Sequence, residues 1–78
     1  MQTLYRWQSI DPKQNRYRFY NVGIGSDLWG NVLLIKHWGR IGTRGRRQFV
    51  WASVDDLNKL ILHIREERLA REYELLLF

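Results

Sequence analysis

The chain has 78 residues, no cysteine, and thirteen Lys and Arg against eight Asp and Glu, a formal net charge of +5. That length bounds it to one domain over residues 1–78 with a modest core, and the missing thiols exclude disulfides, thiolate metal sites and a cysteine nucleophile. Hydrophobics at 45% and aromatics at 14% argue for a folded chain, no apolar run approaches the ~18 residues of a membrane span, and residues 1–10 lack the apolar block of a signal peptide, so a soluble, cytoplasmic protein is expected.

From Thr3 to Ile10, Tyr5 and Trp7 alternate with Arg6 and Gln8, the period of a strand with one buried face. Asp11-Pro12-Lys13-Gln14-Asn15 is a turn, with Asp11 placed to accept backbone N–H bonds and Pro12 presetting the bend. Arg16 to Val22 is a second strand that pairs with the first, with Tyr17 and Phe19 on one side and Arg16, Arg18 and Tyr20 on the other. Arg16 and Arg18 are either solvated strand residues that blunt aggregation or part of a basic, aromatic-interleaved nucleic-acid surface.

Gly23 to Asn31 is expected to be a loop punctuated by Gly23, Gly25 and Gly30. Trp29 at its tip should fold back as a lid over the sheet, because an exposed loop tryptophan is costly unless it is used. Val32 to Arg40 is the longest strand. Its aliphatic run from Val32 to Ile35 suits a central strand covered on both faces. Lys36 and Trp38 share one side and His37 takes the other, and Gly39 marks a close approach or a bulge. Ile41 to Gly45 turns the chain. A fourth strand runs from Arg46 to Trp51, where Arg47, Phe49 and Trp51 alternate with Gln48 and Val50.

Ser53 caps a long helix, and Asp56 stands three residues on, near a capping box. Val54, Leu57, Leu60, Ile61 and Ile64 form one apolar stripe to be laid across the sheet. Arg68 and Arg71 continue it, so either the helix outruns the sheet or their alkyl stems lie across it. The apolar tail, residues 73–78, either ends the helix or adds an edge strand, and it is also a candidate surface for weak self-association. The expected fold is α+β: a single antiparallel sheet of four to five strands with one long C-terminal helix packed across one face.

The stretch from Lys36 to Arg47 holds five cations, three glycines at three-residue spacing, a tryptophan and no carboxylate. Cations neutralise phosphates, glycines admit close backbone approach, and an indole offers a flat face to a sugar or base. Residues 1–51 carry nine Lys and Arg against two acids, and residues 52–78 carry four against six. A basic sheet half joined to a mildly acidic helix suggests an anionic partner on one face.

Within that stretch, Trp38-Gly39-Arg40-Ile41-Gly42, with Gly45 beyond, resembles the signature of the WGR domain. That family occurs in DNA-dependent poly(ADP-ribose) polymerases and in small stand-alone bacterial proteins. The resemblance includes Asn15 to Tyr20, the Asp27-Leu28-Trp29-Gly30 loop and Arg71-Glu72-Tyr73, so it spans roughly residues 15–73. In the family a glycine commonly precedes that tyrosine, and Glu72 replaces it here. The resemblance implies that the domain grips DNA near strand ends. Trp38 would pack on the sugar or base of a terminal nucleotide, and Arg40 would hold a phosphate or a partner domain. Lys36, Arg44, Arg46 and Arg47 would supply further backbone contacts. Trp38 and Arg40 are also readable as scaffold residues, an indole in the core and a guanidinium satisfied inside a hairpin.

No catalytic constellation emerges. Gly39, Gly42 and Gly45 lack the Gly-Lys-Ser/Thr ending of a phosphate loop and are followed by a strand, and a Gly-x-x-Gly clamp on single-stranded RNA belongs between helices. Ser9, Ser26 and Ser53 sit in no activating motif. His63 with Glu66 and Glu67 is a solvated helix face before it is a metal site. His37 with Asp27 is the one acid–base pair available to the basic half. A non-enzyme without cofactor or metal is expected, binding nucleic acid with DNA favoured. The alternative is an accessory module that contacts a partner protein through its helix face or tail.

Overall fold

A computed structural model describes residues 2–77. The elements in chain order are β1 (Gln2–Asp11), a single 3-10 turn (Pro12–Gln14), β2 (Arg16–Ser26), β3 (Val32–Arg40), β4 (Arg46–Trp51), α1 (Val54–Ala70) and β5 (Glu74–Leu77). The strands form one antiparallel sheet in the order β4-β3-β2-β1-β5. The expected α+β architecture is therefore the one observed. The apolar tail supplies the fifth strand, pairing Trp7 with Leu75 and Gln8 with Glu74. Phe78, part of that predicted tail, lies outside the described residues.

Turn chemistry sets the first hairpin. The Asp11 carboxylate accepts the Lys13 N–H at 3.2 Å, Pro12 opens the 3-10 turn, and Asn15 closes it in the left-handed region at φ 52°. Asparagine is among the few residues that adopt that conformation readily. β2 runs four residues past its expected end, because Gly23 and Gly25 remain in the ladder opposite Ile35 and Leu33. A glycine weakens a strand without preventing its backbone from pairing. Leu33, opposite Gly25, is buried although it stands on the side away from the helix.

One face of the sheet meets α1. Trp7, Tyr20, Val22 and Leu34 pack against Leu57, Ile61 and Ile64, each aliphatic side chain contributing about 1.5–3 kcal/mol by leaving water. Val54, expected in this stripe, is exposed one turn before the helix reaches the sheet. The β3 aliphatic run is not covered on both sides, since Val32 is exposed and Ile35 half-buried. Only one helix is present among the described residues, and it shields one face.

Ser53 caps the helix as its sequence implies, its Oγ accepting the Asp56 N–H at 3.2 Å. The other end closes in a Schellman pattern: Tyr73 N–H donates to the Arg68 carbonyl at 2.9 Å, and Glu72 N–H to the Leu69 carbonyl at 3.2 Å. Glu72 takes the left-handed position itself, at φ 63°. The helix therefore breaks where the family places glycine, with a residue less suited to the conformation.

Candidate nucleic-acid interface

The antiparallel register of β2 and β3 builds the site. It sets Arg18 opposite Arg40, Tyr20 opposite Trp38 and Val22 opposite Lys36. Directly opposed residues share a face, so Arg18, Lys36, Trp38 and Arg40 all stand on the side that carries the core. Arg46, opposite Trp38, joins them from β4. At this end of the sheet the last helical turn leaves a cleft of about 580 Å³. Six cationic side chains line it, Arg16, Arg18, Lys36, Arg40, Arg68 and Arg71, against one carboxylate, Glu67.

An aromatic layer forms the cleft floor. Trp38, half-buried, stacks on Tyr20 with ring centroids 6.1 Å apart and planes inclined by 21°. Tyr20 in turn meets Trp7 and Tyr73 edge-on. The Arg68 guanidinium lies over the rings of both Tyr20 and Tyr73, at 4.2 and 4.8 Å from their centroids. Arg68 is only 8% exposed, and its Nε has no hydrogen-bond partner. Burial pushes the Tyr20 phenol above its ordinary range, while the neighbouring Arg68 charge opposes that rise.

Arg40 is not sealed beneath the helix. It is exposed, lies over the Tyr17 ring at 5.2 Å, and donates from Nη1 and Nη2 to the backbone and side-chain oxygens of Asn15, both at 3.3 Å. Arg16 is more committed: Glu72 pairs with it at 3.3 Å and Asp11 at 3.9 Å. Arg18 and Lys36 form no ion pair among the described residues.

The eight predicted binding residues do not all converge. Arg16, Arg18, Lys36, Trp38 and Arg40 line the cleft and Arg46 flanks it. Arg44 lies in the β3–β4 turn, where its carbonyl accepts a bond from His37 Nε2. Arg47 is opposite His37, which turns it to the uncovered side of the sheet. Strand alternation separates Arg46 from Arg47, however close they are in sequence. Tyr20, Arg68, Arg71 and Tyr73 belong to the cleft and were not among the predicted binding residues. The available signal was Arg68, four residues beyond Ile64 on the helix stripe.

The glycines of the stretch have a structural account. The turn folds back so closely that a Cβ on Gly39 would lie 2.6 Å from the Gly45 Cα. A Cβ on Gly45, at φ 68°, would strike the Trp38 carbonyl and reach Phe19 Cζ at 2.8 Å. This contact fixes the hairpin that carries Trp38 and Arg40.

The other chemical candidates fall apart. His37 packs edge-on against Phe19 and bonds to the turn, whereas Asp27 sits in the loop beyond the far end of β3. His63 and Glu67 form an exposed pair at 3.4 Å. No group of three or more His, Asp or Glu among the described residues could hold a metal ion. No helix there is long and apolar enough to cross a membrane.

Trp29 is not a lid. It is 82% exposed, because the loop closes on itself instead of on the sheet. Asp27 Oδ1 accepts the N–H groups of Trp29 and Asn31, both at 2.9 Å, and Oδ2 accepts Asn31 Nδ2 and Trp51 Nε1, both at 3.1 Å.

These features define a small antiparallel α+β domain whose single helix leaves a basic, aromatic-floored cleft open. The chain belongs to the WGR domain family, whose profile matches residues 5–76. The family is non-catalytic and, in general, of a nucleic-acid-binding type. The chain is similar to uncharacterized protein y4dW of Sinorhizobium fredii, with 31% identity over 67 residues, 85% of this chain and 33% of that one. It thus spans about a third of the length of that relative. No solved structure matches it.

Proposed function

We propose that the protein binds double-stranded DNA, preferentially at ends, through this cleft and with little sequence specificity. The supporting observation is the arrangement of Arg18, Lys36, Arg40, Arg68 and Arg71 around the stacked Trp38–Tyr20 pair, with Glu67 the one carboxylate among the described residues that line the cleft. Guanidinium and ammonium groups contact phosphates, which position a protein without reading bases. An indole stacked from beneath presents its remaining surface to a terminal sugar or base. Arg44 and Arg46 extend the positive field along the neighbouring hairpin. The role is binding, with no catalytic step.

The test is a titration of labelled blunt duplex, nicked duplex and single strand at two salt concentrations. With four to five phosphates neutralised, a fourfold rise in salt should weaken duplex binding by roughly two to three decades. Arg40→Ala should lose affinity at both salts. A salt slope of zero, or equal binding by the variant, would count against the cleft.

A second reading, an accessory module for a partner protein, draws support from a separate hollow of about 370 Å³ between helix and tail. Trp7, Leu62, Leu69, Tyr73 and Leu75 line it. Backbone NMR shifts confined to the helix and tail on adding a partner would favour that reading.

A further inference from the structure

The side of the sheet away from the helix carries a second set of exposed aromatics that the cleft does not use. On β4, Arg47, Phe49 and Trp51 are opposite His37, Ile35 and Leu33, which turns all three outward. Phe49 is 49% exposed and Trp51 55%. Their ring centroids are 6.3 Å apart and the planes are inclined by 45°. β4 is an edge strand, so among the described residues no further strand lies beyond this row.

A charged side chain holds one of these rings. The Asp27 carboxylate bonds to Trp51 Nε1 through one oxygen and to the Trp29 N–H through the other. None of its four side-chain bonds reaches the core, and the one from Nε1 fixes the exposed Trp51 ring against the loop. Asp27 stays ionised, so one negative charge stands at the Trp51 end of the row. The positive charges, Arg47 itself and Arg44 in the adjoining turn, stand at the other end.

We propose that Arg47, Phe49 and Trp51 form a stacking ledge for single-stranded nucleic acid, distinct from the duplex cleft. Side chains at alternate positions of a strand stand about 6.6 Å apart, a spacing on which successive unstacked bases can each meet one ring. A duplex hides its base faces along its length. An unpaired strand exposes them, and base–aromatic stacking tolerates any sequence. Arg47 supplies the phosphate contact beside the rings. An apolar protein surface would also cover aromatics, but it would gain nothing from the cations that border them.

The test uses the full chain with a labelled short oligothymidylate and, in parallel, a blunt duplex. Wild type should bind the oligothymidylate with quenching of tryptophan emission. Phe49→Ala and Trp51→Ala should each weaken that binding about ten-fold and leave duplex affinity unchanged. Trp51→Phe, which keeps an aromatic face, should retain most of it. Arg40→Ala should show the reverse pattern, and circular dichroism melts establish that each variant is folded. Absence of oligothymidylate binding overturns the ledge, as does binding that survives both ring removals. Parallel loss of duplex and single-strand binding in every variant also overturns it, because it means one shared site. Loss of duplex binding alone would remove the cleft and leave the ledge standing.

Discussion

The guanidinium of Arg68 lies 4.2 Å from the ring centroid of Tyr20, beneath the residue on which Trp38 stacks. A helix residue thereby supports the tryptophan of a hairpin thirty positions earlier in the chain. The contact joins two functions in one side chain: its alkyl stem extends the core and its charge faces the cleft.

Those functions separate by substitution. Arg68→Ala removes both stem and charge and should cost about 2–3 kcal/mol in urea denaturation. Arg68→Met keeps an apolar stem without a buried charge and should stay within about 1 kcal/mol of wild type. Both should weaken duplex binding. A methionine variant with full affinity would show that the charge serves packing alone.

The hairpin turn depends on the contact between Gly39 and Gly45. Gly45→Ala adds left-handed strain to a collision with the Trp38 carbonyl and Phe19, and should destabilise by about 3 kcal/mol. Gly39→Ala drives its Cβ into the Gly45 backbone and should be of similar severity. Thermal melts measure both losses, and the NMR signals of residues 38–45 should move first. Wild-type melting of either variant would refute the close approach.

Glu72 occupies a left-handed position without being glycine. Glu72→Gly relieves about 1 kcal/mol of strain and gives up the Arg16 pair, a contact worth a fraction of that. The net should be a gain of about 0.5 kcal/mol, a rise in Tm of roughly 2–4 °C. Glu72→Ala, which loses the pair and keeps the strain, should melt slightly below wild type.

Acid should release the loop at Trp29. Desolvation raises the Asp27 pKa, but the bonds from the Asn31 N–H and side chain, the Trp29 N–H and Trp51 Nε1 outweigh it, so the carboxyl is held below its ordinary range. A depressed folded value means that the ionised form supports the folded loop. The support is complete above the unfolded pKa near 3.8 and is lost as pH falls through the lower folded value. The Trp51 Nε1–H resonance followed from neutral pH downward should hold steady and then move only at the acid end. Asp27→Asn should abolish that transition. A Trp51 signal that titrates above the unfolded value would contradict the assignment.

Much of the fold was legible because it is local. Period-two alternation marks three strands and an aliphatic run a fourth, Asp11-Pro12 a turn, Ser53 with Asp56 a helix start, and the Trp38–Gly42 signature the family. Alternation also placed Lys36 with Trp38 and His37 apart from them. By itself, then, the sequence determined the elements, their inner periodicity and the concentration of positive charge in the sheet half, all consequences of backbone geometry and side-chain type within a few residues.

Tertiary structure decided the rest, because it depends on register and on where the helix crosses. The β2–β3 pairing set Tyr20 under Trp38, and the helix's endpoint brought Arg68 and Arg71 to the same cleft. The bond from Trp51 Nε1 to Asp27, 24 positions apart, tied the loop to β4. Nothing within a few residues of any of these positions encodes which distant surface it will meet.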